Sequence, residues 1–144
     1  MSASKTYTWT TTGTANWNTG ADWNNGTATG TVANGANNAV INQGGVTLTS
    51  NQTINLLNVG GGSLFLNNAG QTLNVLATTT LSSGAININA AATLLSPNFN
   101  QTGGTFSMNA GTLTANTAAD FNGGTATLSA GNLNGARSPS MAAR

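Results

Sequence analysis

Apolar and polar positions alternate irregularly at the start of the chain and fall into a repeat from Gly44 to Gly135. Gly103 to Leu113 reads GGTFSMNAGTL, and twenty residues later Gly123 to Leu133 reads GGTATLSAGNL, with Phe99 and Phe121 placed alike before the two copies. SGAININAAATL (Ser83 to Leu94) and GGSLFLNNAGQTL (Gly61 to Leu73) keep the same order of features, and GGVTLTSNQTI (Gly44 to Ile54) is the most distant of the five copies. Each copy runs from small residues into an apolar pair: Val46/Leu48, Leu64/Leu66, Ile86/Ile88, Phe106/Met108 and Ala126/Leu128, at steps of 18, 22, 20 and 20 residues. A spacing of two puts both members on one side of a strand, with Thr47, Phe65, Asn87, Ser107 and Thr127 on the other. A small or polar bend such as NAG or SAG leads to another apolar residue, Ile54, Leu73, Leu94, Leu113 or Leu133. A third apolar point, Val59, Leu81, Phe99 or Phe121, precedes the next Gly-rich corner.

Three short strands and three corners in about 20 residues predict one coil of an all-β fold, a β-solenoid or parallel β-helix. One coil cannot bury its own apolar side, so the coils must stack, each strand pairing in parallel with the one above. The predicted inward column is Leu48, Leu66, Ile88, Met108 and Leu128. Asn67, Asn89 and Asn109 share one outward place in three consecutive copies and are expected to hydrogen-bond as a ladder along the axis. A flat Thr array would point to ice binding, but Thr47, Asn87, Ser107 and Thr127 are too irregular, and Phe65 interrupts them.

Residues 1–38 carry Tyr7 and all three tryptophans, Trp9, Trp17 and Trp23, and read as an aromatic N-terminal coil or cap closing the apolar column. The same indoles offer two functional readings, a sugar-stacking platform for surface glycans or a joint between subunits. Residues 39–135 form the Gly/Asn-rich solenoid. Residues 136–144, ARSPSMAAR, lose the alternation and read as a disordered tail, foreign in composition as a fusion scar or a shifted reading frame would be; Arg137 and Arg144 are expected to be solvated.

Composition narrows the class. Charged residues make up 3% of the 144, and abundant Gly, Asn and Thr disfavour long helices. A net charge of +1 gives no footprint for nucleic acid or an anionic surface, and no apolar run is long enough for a membrane helix. The first residues lack the apolar core of a signal peptide, so export would need a signal outside this stretch or another route.

Catalysis, metal and cofactor are not expected. The chain has no Cys and no His, and its only acidic residues, Asp22 and Asp120, lie in different segments, which disfavours a glycosidase carboxylate pair. Lys5 is the only Lys and sits near the terminus. The Gly-Gly pairs lack the Asp of calcium-binding nonapeptides and the Lys of a phosphate loop, which leaves them as corners. Asn25-Gly26-Thr27, Asn51-Gln52-Thr53 and Asn100-Gln101-Thr102 match the glycosylation sequon, a cheap match in so Asn- and Thr-rich a chain.

GGTFSMNAGTLTA with its neighbours, together with the opening TYTWTTTGTANWNTGADW, resembles the passenger regions of bacterial autotransporters and their autotransporter-associated strand repeats. The likeness spans about residues 7–134. It implies a right-handed parallel β-helix, secreted or at the bacterial cell surface. No membrane-barrel translocator is present in this stretch, and no shared adhesin motif carries over. With no chemistry-bearing cluster, the expected function is that of an extracellular structural protein, its partner further copies of itself joined head to tail into filaments. The alternative is a monomeric adhesin or glycan-binding fragment.

Overall fold

The computed structural model describes residues 4–26 and 34–137. The strands, in chain order, are β1 (Thr6–Trp9), β2 (Thr14–Asn16), β3 (Trp23–Asn24), β4 (Asn38–Ile41), β5 (Gly45–Thr47), β6 (Gln52–Leu66), β7 (Thr72–Ile88), β8 (Thr93–Leu95), β9 (Asn98–Gln101), β10 (Thr105–Met108), β11 (Thr112–Phe121), β12 (Thr125–Leu128) and β13 (Asn132–Arg137). They form one 13-stranded sheet wound into stacked parallel coils of about 20 residues, a β-solenoid. The long strands β6 and β7 each bend around corners and contribute to all three faces.

On the first face, β2, β5, the ends of β6 and β7, β10 and β12 stack in parallel. Val46, Leu64, Ile86, Phe106 and Ala126 follow one another in register, and Leu66, Ile88, Met108 and Leu128 form the column beside them. Leu48, Leu66, Ile88 and Met108 are buried; Leu128 is half-buried because no coil follows it among the described residues. The second face stacks the starts of β6, β7 and β11 with β8 and β13, and the third stacks β1, β4, the middles of β6 and β7, β9 and the end of β11.

Two alignments expected from the repeat are corrected. Leu73, Leu94, Leu113 and Leu133 do stack, but Ile54 pairs with Val75, and Gln52 stands opposite Leu73. The loop after Leu48 is shorter than its counterparts, so the most distant copy enters the second face already at Gln52, and Ile54 falls at the next inward place. Phe99 and Phe121 are also not equivalent: Phe99 pairs with Thr79 and Ala119, whereas Phe121 pairs with Gln101, which itself follows Leu81. The inward positions of the third face come in pairs, and the aromatic ring occupies the first in one coil and the second in the next. The rings still meet diagonally, with centroids of Phe99, Phe106 and Phe121 separated by 5.1 to 5.8 Å.

Coil-to-coil contact is what the corner glycines serve. Gly84 has φ of +78°, and a Cβ there would lie 2.0 Å from the Gly62 carbonyl oxygen; at Gly124, with φ of +71°, it would lie 2.2 Å from that of Gly104. A side chain at either place is excluded both by backbone conformation and by the coil beneath.

The interior also holds polar groups that the repeat does not announce. Buried Thr79 donates its hydroxyl to Ser96 Oγ at 2.9 Å, and Ser96 donates to the Asn98 carbonyl at 2.7 Å. Gln101 is buried in a column of apolar residues. Its Nε2 donates to the carbonyls of Gly104 (3.2 Å) and Thr125 (2.9 Å), fastening the last coil, while its Oε1 is buried without a partner. β13 runs through Arg137, past the boundary expected at residue 135; the remainder of the proposed tail, including Arg144, lies outside the described residues.

Two expectations follow for stability, read by thermal melting with circular dichroism. Leu66→Asp should abolish cooperative folding, because an unpaired carboxylate would sit between apolar coils; Leu66→Ala should cost about 2–5 kcal/mol. An unchanged melting temperature for Leu66→Asp would contradict the register. Gln101→Met should melt close to the parent, since it keeps the volume and removes the unpaired buried acceptor, which offsets the loss of the two bonds from Nε2. Gln101→Glu should melt far lower, because it buries a charge.

Candidate functional site: the two ends of the solenoid

Between its ends the solenoid presents a mostly uncharged surface of Thr, Asn and Ser. Asn89 donates its Nδ2 to Asn67 Oδ1 and Asn109 donates to Asn89 Oδ1, both at 2.9 Å and both exposed, so the three amides run as a chain of hydrogen bonds along the axis. This arrangement is structural: the middle amide, Asn89, spends a donor and an acceptor on its two neighbours. Leu76 is the only exposed large apolar side chain among the described residues, and Phe65 lies half-buried against Gly45.

Among the described residues no set of convergent titratable groups arises. Asp22 lies in the first coil, where Thr11 donates its hydroxyl to Asp22 Oδ1, and Asp120 faces outward on β11 near the other end. Among the described residues no three His, Cys, Asp or Glu side chains come together. No helix among them is long and apolar enough to cross a membrane. Of the sequon residues, Thr27 lies outside the described residues, while Asn51 is exposed and accepts the Thr72 amide at 2.8 Å.

The N-terminal end is closed. After β2 the chain makes a single 3-10 turn (Gly20–Asp22) and returns as β3, which pairs antiparallel with β1 through Trp9 and Trp23. This reversal carries Trp23 over the first coil. Its ring centroid stands 5.0 Å from that of Trp9, at 73° between the planes, and 5.0 Å from that of Trp17, at 53°. Trp23 Nε1 donates to the Trp17 carbonyl at 2.7 Å. Trp9 and Trp17 are the inward residues of the third and first faces at this level, so Trp23 bridges two faces. Edge-on packing of this kind adds to the gain from burying three large rings.

This placement corrects both functional readings of the tryptophans. All three indoles are buried, so none offers an open face to a sugar ring or projects from the end as a joint. The apolar column left bare by the first coil claims them.

At the C-terminal end no further coil follows β12 and β13 among the described residues. Thr125 and Ser129 donate their amides back to Gly104 and Met108, at 2.9 Å each, and Asn132 donates back to Gly111 at 2.9 Å. Successive strand residues point their N–H and C=O to opposite sides, so those of Ala126, Leu128 and Leu133 face away from the stack. The side chains of the same three residues are only partly buried against the core. Residues 122–135 carry no charged side chain. A bare edge of this kind is a template for another strand. Leu128 takes the place in the core column expected from the repeat, and Ala126 and Leu133 of the same final copy are partly buried beside it.

No family model matches the chain, and neither a curated protein nor a solved structure matches it. Its membership of the solenoid repeat proteins therefore rests on the architecture described above.

Buried indoles should show blue-shifted emission and low acrylamide quenching, and titration with soluble glycans should leave the emission unchanged. A saturable glycan-dependent shift would restore the platform reading. Trp23→Ala should raise quenching of the remaining indoles and cost about 3–5 kcal/mol, because it removes the ring that bridges two faces.

Proposed function

We propose that the protein is a structural β-solenoid, a rod of a cell surface or extracellular matrix, that joins end to end with copies of itself through its C-terminal coil. The observation that carries this reading is the difference between the ends among the described residues: an aromatic cluster closes one, while at the other the side chains of Ala126, Leu128 and Leu133 are only partly buried and no further strand pairs with β12. Natural solenoids close such edges with capping segments or charges. The nearly uncharged Thr/Asn/Gly surface and the likeness of GGTFSMNAGTLTA to autotransporter passenger repeats support a place outside the cell. The burial of Trp9, Trp17 and Trp23 weighs against the glycan-binding alternative.

An unlimited head-to-tail filament would need the first coil to continue all three parallel faces. β3 runs antiparallel on the third face, so an incoming coil would meet a strand of the wrong direction there. The geometry thus favours association through the C-terminal end over polymerisation through both.

Sedimentation velocity over a concentration series is expected to show mass rising reversibly above the monomer, with elongated particles joined at their ends in electron micrographs. Because residues 122–135 carry no charged side chain, the association should change little with added salt. A monomer at every concentration would overturn the proposal.

A further inference from the structure

We infer that Asn34 is a site of spontaneous covalent modification, at which the side-chain amide is lost through attack by the Gly35 backbone nitrogen and replaced by a carboxylate. The chain has four Asn-Gly pairs, beginning at Asn25, Asn34, Asn122 and Asn134. Such a pair can react with itself because glycine has no Cβ to keep the Asn side chain away from the following amide. The glycine nitrogen bonds to Cγ to form a cyclic imide, the bond from Cγ to Nδ2 breaks, and the nitrogen's proton departs with Nδ2 as ammonia. Water then opens the ring at either of its carbonyls, giving Asp or its β-linked isomer. No oxidant, metal or enzyme takes part. The ring closes only where the glycine nitrogen is unshielded and the backbone around it can turn.

Stacking withholds those conditions from the pairs inside the repeats. Gly123 donates its amide to the Gln101 carbonyl at 3.2 Å, and the Thr102 carbonyl oxygen stands 2.2 Å from where a Cβ would lie. Asn134 and Gly135 belong to β13, in register with Thr114 and Ala115, and the Ala115 carbonyl oxygen stands 1.9 Å from the corresponding point on Gly135. Neither backbone can rotate there without parting two coils. In the first coil the Gly26 amide is donated to Asn24 Oδ1 at 2.7 Å. Asn34 and Gly35 are placed otherwise. They lie in the turn before β4, both are exposed, and Gly35 has φ of +57° with nothing within 4 Å of where its Cβ would be. Among the described residues the Gly35 amide donates to no group. The turn is tied to the first coil on its far side, where the Asn34 carbonyl accepts the Asn37 amide at 3.0 Å and Asn37 Oδ1 accepts the Lys5 amide at 3.1 Å. A carboxylate formed here takes the formal net charge from +1 to neutral without touching the stacked repeats. An Asn-rich chain thus ages at one turn while its coils stay chemically intact, and the site is independent of how the ends associate.

Incubation of the purified protein at neutral pH should produce a more acidic form, resolved by ion exchange, that chymotryptic mapping with mass spectrometry assigns to Asn34. Isoaspartyl methyltransferase should label the same peptide. Asn25, Asn122 and Asn134 should convert more slowly, the last two by at least about tenfold, because each first requires the stack to open locally. In guanidinium chloride all four pairs should convert at similar rates. Asn34→Gln should abolish the acidic form and leave the melting temperature unchanged. Conversion of any of the other three in the native protein as fast as Asn34 would overturn the selection by the fold. An Asn34 that stays intact in the native protein while the unfolded chain converts would overturn the site itself.

Discussion

Everything in this molecule is subject to the spacing of parallel strands, about 4.8 Å from one coil to the next. At that separation each residue lies against its counterpart in the coils above and below, so the sequence must be acceptable when stacked on itself. Gly84 and Gly124 show how tight the condition is, since a single methyl group at either would collide with the carbonyl of the preceding coil. The Asn67, Asn89 and Asn109 chain shows the favourable side, because an amide is a donor and an acceptor and pairs with copies of itself. Apolar residues pair with copies of themselves equally well, and the inward columns follow.

Stacking also tolerates departures when neighbours compensate. The aromatic rings of Phe99 and Phe121 occupy different inward positions, and the space each leaves in the adjacent coil is taken by Ala119 and Gln101. Thr79 donates its hydroxyl to Ser96 across the corner between two faces, and Ser96 in turn donates a hydrogen bond to the Asn98 carbonyl. Gln101 is less complete: its amide holds the carbonyls of the last two coils, yet its own oxygen is buried unpaired. A repeat fold is thereby a set of local solutions within one shared register.

The same constraint makes the ends chemically unlike the middle. An interior coil has both neighbours, whereas a terminal coil leaves one row of backbone groups and one layer of apolar side chains without partners. Here the N-terminal end answers with a strand reversal and three indoles, and no comparable device follows β12 and the start of β13 among the described residues. A protein with so few charges has no electrostatic means of keeping that edge apart from others. The functional proposal is a consequence of this asymmetry rather than of any reactive side chain.

The coil length, the inward pairs Leu64/Leu66, Ile86/Ile88 and Phe106/Met108, and the role of the Gly-rich corners were legible in the sequence because side-chain alternation and repeat spacing are local properties of the chain. The concentration of Trp9, Trp17 and Trp23 at one end likewise announced a cap. The tertiary structure alone decided that β3 reverses to carry Trp23 over the first coil, and with it that the indoles are sealed inside. It also decided that Ile54 stacks on Val75, that Phe121 stacks on Gln101, and that Gln101 reaches into the last coil. These depend on loop lengths and on which atoms meet between coils. A one-dimensional alignment matches residue types, whereas packing selects the register that fills space and pairs the most polar groups.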